Sequence, residues 1–272
     1  MRLDLSSKGK KLAELPVTPD DQPPAITWLA VASGTDTHGP TRTGGTRVAA
    51  CTDDARLVYF ADGVRRWAIS AGMTEKNEPI SYQSAAFSID GAVLLALTPT
   101  QAHFIDPADG SVKAKVDGVN GRLRAVRTAG AADAGASFIL AAEKAGALVC
   151  APDGTVASRI ELPGLPLAVS ACPGGFAVGT EGDSTVRMLK SLTGKIDEQT
   201  AWASVCPRRI VKQIAAAGPQ IAVVYWGGTV RLIDQDGTVK AENVFMQDVS
   251  DAAWVGDRLI VGLADGRVVG VK

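Results

Sequence analysis

Histidine is almost missing from this chain: 272 residues carry only His38 and His103. Hydrolytic Ser-His-Asp and Cys-His arrangements need an ordered histidine beside a nucleophile. His38 falls in a polar loop stretch and His103 on an apolar strand pattern, so both read as solvated or structural. Aromatic residues are also scarce, at 5%, which leaves Ala, Val, Leu and Ile to build the core. The four cysteines, Cys51, Cys150, Cys172 and Cys206, show no CxxC pairing and no histidine at metal-ligand spacing. Cys51, Cys150 and Cys172 lie on strand patterns, where a reduced thiol acts as a small apolar filler. No charge of one sign dominates: the formal net charge is −1, which gives no long-range field for phosphate backbones or anionic lipid. No apolar run approaches the roughly 20 residues of a membrane span, and Met1–Lys11 is charged where a signal peptide is apolar. The expectations are therefore no nucleic-acid partner, no membrane partner, no cofactor and a cytoplasmic setting.

What the chain has in abundance is turns, with 29 glycines and 14 prolines, and one phrase that returns about every 40 residues. Two short apolar strands, an Asp-Gly or similar turn and a further strand recur in Ala49–Gly63, Ser84–Gly110, Ala141–Gly154, Gly179–Gly194, Ile221–Gly237 and Leu259–Gly266. Aspartate bonds the local backbone and glycine accepts positive φ, so each pair pins a hairpin register. A strand quartet that cannot bury both faces alone must stack on copies of itself. The predicted fold is all-β, a six-bladed β-propeller with seven blades as the alternative count. It reads as a single domain over 1–272, with a closing strand in 2–16 and blades at approximately 26–70, 82–117, 122–163, 166–203, 209–247 and 249–272. The last unit is one strand short, and Lys10–Leu15 echoes the missing piece, so the N-terminal strand is expected to complete the last blade and close the ring.

The segment Leu192-Thr193-Gly194-Lys195, with Trp202 later on, resembles the "TGK…W" ending of the quinoprotein-type repeat, and Asp106–Val112 and Asp234–Val239 are looser echoes. The repeat as a whole also resembles that of WD40-like proteins, although neither Trp-Asp nor Gly-His occurs. These resemblances imply the propeller architecture. Quinone chemistry would further require acidic calcium ligands, a catalytic aspartate and cofactor-stacking aromatics, which map onto no positions here.

Paired carboxylates at Asp20-Asp21, Asp53-Asp54 and Glu181/Asp183 read as turn and surface chemistry. A metal site would instead need oxygen ligands converging from several blades. Basic clusters at Lys8, Lys10 and Lys11, at Arg122, Arg124 and Arg127, and at Arg208, Arg209 and Lys212 read as salt-bridging groups, with anion binding as the alternative. A propeller gathers the loops between its second and third strands, and those between blades, on one face. That face is predicted to carry Glu143, Lys144, Glu181, Asp183, Arg208, Arg209, Tyr225, Trp226, Gln247 and Asp248. Trp and Arg are over-represented among interface hot spots. The expected function is a non-enzymatic scaffold for protein-protein interaction, a subunit of a multi-protein assembly with its partner on this loop-rich face. The alternative is a propeller enzyme, a metal-dependent lactonase-type hydrolase or quinoprotein relative, with its site at the channel mouth.

Overall fold

The computed structural model describes residues 2–7, 10–16, 24–33, 46–88, 91–121, 126–130, 136–142, 146–172, 175–182, 184–190, 200–255 and 257–271. Every named element among them is a strand. After the N-terminal pair β1 (Arg2–Ser7) and β2 (Lys10–Pro16), the strands form six up-and-down sheets in chain order. Sheet 1 is β3 (Ile26–Ser33), β4 (Thr46–Thr52), β5 (Arg56–Ala61) and β6 (Val64–Ser70). Sheet 2 is β7 (Ser84–Phe87), β8 (Leu94–Leu97), β9 (Gln101–Ile105) and β10 (Val112–Asp117), and sheet 3 is β11 (Val126–Gly130), β12 (Ala136–Ala141), β13 (Ala147–Cys150) and β14 (Val156–Ile160). Sheet 4 is β15 (Pro166–Cys172), β16 (Gly175–Thr180), β17 (Thr185–Leu189) and β18 (Thr200–Val205). Sheet 5 is β19 (Val211–Ala217), β20 (Gln220–Tyr225), β21 (Thr229–Ile233) and β22 (Val239–Val244), and sheet 6 is β23 (Val249–Val255), β24 (Arg258–Leu263) and β25 (Val268–Val271). These are the blades of a six-bladed β-propeller, so the count is six rather than seven.

One expectation is corrected. Among the described residues Lys10–Leu15 does not extend the last blade: β2 pairs antiparallel with β1, Leu3 opposite Leu15 and Asp4 opposite Glu14, and the sheet of β23, β24 and β25 has three strands. Only Lys8 and Gly9 separate β1 from β2. Closing so short a loop takes far less chain entropy than bringing the distant ends of a chain together.

Burial follows strand position. Middle strands such as β8, Leu-Leu-Ala-Leu, are buried throughout, whereas the fourth strands β6 and β22 alternate or lie exposed. That is the pattern of a sheet covered on both faces at its centre and wetted at its rim. The chain divides into two compact units, Met1–Thr128 with Ala151–Thr155, and Ala129–Cys150 with Val156–Lys272. In the first, Leu57, Tyr59, Tyr82, Phe87, Leu94 and Ile105 share one core. In the second, Ile139, Val169 and Leu189 form one cluster, Ile214, Ile221, Val223 and Tyr225 another, and Val249, Leu259 and Val261 a third. Each large aliphatic side chain fully withdrawn from water contributes about 1.5–3 kcal/mol.

Four tryptophans tie neighbouring blades together. Trp67 on β6 donates its indole N–H to the Pro107 carbonyl at 2.9 Å, and Trp202 on β18 donates to Gln235 at 2.7 Å. Each ring lies on the glycine of the accepting turn: a Cβ at Gly110 would fall 2.9 Å from Trp67, and one at Gly237 would fall 2.8 Å from Trp202. Both glycines also have positive φ, +77° and +82°, which the tight turn requires. On the first strands of blades 1 and 6, Trp28 donates to Ala85 at 2.9 Å and Trp254 to Ala215 at 3.1 Å. Trp226 alone among the five tryptophans makes no such bond among the described residues.

Candidate functional site

The turn Trp226–Gly228 joins β20 to β21 in the second unit. Strand β20 is buried along its apolar residues, and Tyr225 at its end is 0% exposed, packed with Cys206, Val211, Ile214 and Val223. Its hydroxyl has no protein hydrogen-bond partner among the described residues, and burial pushes its pKa up. The chain then leaves the sheet, and Trp226 is 53% exposed.

This exposure is built into the loop. Trp226 N–H bonds the Ile210 carbonyl at 3.0 Å, and Phe245 N–H bonds the Gly228 carbonyl at 2.9 Å. A Cβ at Gly228 would lie 2.5 Å from the carbonyl oxygens of both Phe245 and Gln247, so only glycine lets the turn approach the connection between β22 and β23 so closely. The Lys212 ammonium sits 4.0 Å from the centroid of the Trp226 ring, a cation–π contact. It also donates to Asp248 Oδ2 at 2.7 Å and to the Val249 carbonyl. Asp248 Oδ1 in turn accepts from Gly227 N–H at 3.2 Å. Burial works against the Asp248 carboxylate, but Lys212 and the backbone N–H groups outweigh it and hold its pKa below the usual range.

Two arginines stand in the turn that leads into β19. Arg209 reaches over the turn, its Nη1 2.8 Å from where a Gly227 Cβ would stand, and the exposed Arg208 has φ +61°. Neither has a carboxylate partner among the described residues. Ile210 is exposed beside Trp226, and Met246 is 100% exposed on the connection between β22 and β23.

Of the residues singled out in the sequence, Trp226, Arg209, Gln247 and Asp248 come together here, with Arg208 adjacent. Tyr225 belongs to the core beneath them. Glu181 is exposed on the turn between β16 and β17 of blade 4, where its N–H bonds Leu165 at 2.8 Å. Glu143, Lys144 and Asp183 lie outside the described residues, as do His38, Lys8, Arg122, Arg124 and the Thr193-Gly194 turn. Sequence reasoning missed the role of Lys212, which stood in a basic cluster with Arg208 and Arg209. The signal was its place near the start of an innermost strand, where it meets the aspartate preceding the next one.

Elsewhere the titratable groups have structural surroundings. His103 is buried, its Nδ1 3.1 Å from the Tyr82 hydroxyl and its Nε2 3.2 Å from Gln101 Oε1. Burial, followed by the charge of Lys115, pushes its pKa down to about 4, so the ring is neutral at physiological pH. Asp54 accepts from Thr52 and Arg56 within a turn. Burial raises the Cys150 and Cys172 thiols to about 11, far from nucleophilic thiolates. Among the described residues no three His, Cys, Asp or Glu side chains converge so as to hold a metal ion, and no helix is long and apolar enough to cross a membrane.

No protein-family model and no curated protein sequence matches the chain. Solved structures do. BBS1N in complex with ARL6DN is 14% identical with a TM-score of 0.71, the match covering 99% of this chain and 83% of that one. BamB from Moraxella catarrhalis is 14% identical with a TM-score of 0.57, over 91% of this chain and 83% of that one. Saccharomyces cerevisiae Sqt1 is 10% identical with a TM-score of 0.60, over 92% and 83%. At these identities the likeness is one of fold.

Proposed function

We propose that this propeller is a non-enzymatic scaffold that holds a protein partner on the loop face of blade 5, as a subunit of a multi-protein assembly. The observation that carries the reading is Trp226: a large ring left half in water, yet fixed there by Lys212, Asp248 and the backbone bonds of its turn. A stray exposed side chain needs no such support. An interface anchor benefits from it, because a ring already immobilised loses less freedom on binding. The likeness to BBS1N, a chain solved in complex with ARL6DN, supports a protein as the kind of partner. The net charge of −1 supports neither nucleic acid nor membrane as the partner, and the free thiols, three of the four buried, suit a cytoplasmic setting.

The test is capture from native cells with Trp226→Ala and Arg209→Ala variants whose circular dichroism and melting match the parent. Loss of a co-purifying protein is the expected result. Undiminished capture by both variants removes this face from consideration.

A further inference from the structure

The charges around Trp226 narrow the chemistry of its partner. Lys212 is already matched by Asp248, and Arg231 by Glu242. The positive charge left over belongs to Arg209, which reaches over the turn that carries the one exposed indole, and to its exposed chain neighbour Arg208. Ile210 and Met246 extend the apolar surface on either side of that ring, Ile210 through its backbone bond to Trp226 and Met246 through the connection that packs on Gly228. Such a surface leaves unmet two needs of different kinds: an anion able to take guanidinium N–H bonds, and an apolar group able to cover an indole. Carboxylates suit the first because the guanidinium fork matches their two oxygens. Bulky side chains suit the second.

Resting on the scaffold reading above, we infer that blade 5 recognises a short acidic segment of its protein partner, with an Asp or Glu for Arg208 and Arg209 beside a Leu, Phe or Trp that packs on Trp226. A phosphate backbone fits less well. Nucleic-acid binding draws on many cations spread along a track, and this face offers two guanidinium groups without a carboxylate partner among the described residues, with the Asp248 carboxylate at the same turn.

The probe is a displayed library of random dodecapeptides, selected on the full chain after depletion on the Trp226→Ala variant, with binding then measured by fluorescence polarisation. Selected peptides are expected to carry an acidic residue next to a bulky apolar one and to bind more weakly as salt rises. They should lose roughly tenfold or more in affinity on Arg209→Glu. Changing the peptide's Asp or Glu to Lys should restore binding to that variant, a rescue that an unfolded protein cannot show. Arg209→Gln, a milder change, should fall between parent and charge reversal. Peptides that depend on Trp226 but are neutral or basic, and are indifferent to Arg209→Glu, would overturn the acidic-segment inference and leave the face as the binding surface. Failure to select any peptide that discriminates Trp226→Ala would overturn the inference, with capture of the native partner then judging the scaffold reading separately. A dimer in sedimentation that dissociates on Trp226→Ala would make a second copy of this chain the occupant, and would overturn it too.

Discussion

If Trp202 holds blades 4 and 5 together by resting on a turn that only glycine can form, then a single added methyl at Gly237 should act as a wedge. The substitution Gly237→Ala has two effects. Placing an L side chain at φ +82° costs about 1 kcal/mol. In addition, the new Cβ would lie between 2.8 and 3.0 Å from three atoms of the Trp202 ring, an overlap that costs about 1–3 kcal/mol to relieve. Gly266 is a built-in control. It occupies the Asp265-Gly266 turn between β24 and β25 of blade 6, at a similar φ of +87° and with nothing within 4 Å of its would-be Cβ, so Gly266→Ala should cost only the backbone share. Trp202→Ala removes a half-buried ring and its bond to Gln235, a loss of about 2–3 kcal/mol, below the range for a fully buried tryptophan. In the double variant the ring is gone, and adding Gly237→Ala should cost no more than it does at Gly266. Urea unfolding followed by far-ultraviolet circular dichroism gives each value and closes the cycle. The expected coupling is the overlap share, about 1–3 kcal/mol. Equal costs at Gly237 and Gly266, or strict additivity with Trp202→Ala, would refute the wedge.

Other perturbations read different parts of the molecule. His103 binds a proton below about pH 6.5 when unfolded but resists it until about pH 4 when folded. Stability should therefore fall as pH drops through this window, by up to about 3 kcal/mol, and level off below it; melting curves of His103→Gln should show a shallower slope, and identical slopes would count against a buried neutral ring. Arg208→Gly relaxes the φ of +61°, so the melting temperature should hold or rise, by up to about 1 kcal/mol of stability, while partner capture weakens; a lowered melting temperature would mean that the guanidinium supports the fold. Lys212→Met removes the cation from the Trp226 ring and leaves Asp248 without its ion pair. Acrylamide quenching, taken as the difference from Trp226→Phe, should increase, and stability should drop by about 1 kcal/mol; unchanged quenching would separate the lysine from the ring.

The parts of this fold that could be read from the sequence are those decided locally. Asp109-Gly110, Asp153-Gly154 and Asp236-Gly237 announce their turns because the chemistry is complete within a few residues: Asp109 Oδ1 accepts from Ser111 N–H at 2.8 Å, and Asp153 Oδ1 from Thr155 N–H at 2.8 Å. What escaped depends on residues far apart in the chain. Lys212 and Asp248 stand 36 positions from each other, and nothing near either tells that they meet behind an indole. Tyr225 and Trp226 look alike as neighbours in sequence, yet the strand ends between them, one side chain sealed in a core and the next in water. The expected clasp failed for a related reason. Resemblance between Lys10–Leu15 and a closing strand measures what a segment could pair with, whereas β1 is the partner within immediate reach.

Each indole clasp spans a single seam and reaches no further, Trp67 to its neighbouring turn in one unit and Trp202 to its own in the other. Errors introduced at one seam are therefore confined there, since adhesion in such arrays is a matter of adjacent repeats. Trp226 has been left out of that duty. It and the loop around it can be altered while all four of the other indole bonds stay in place.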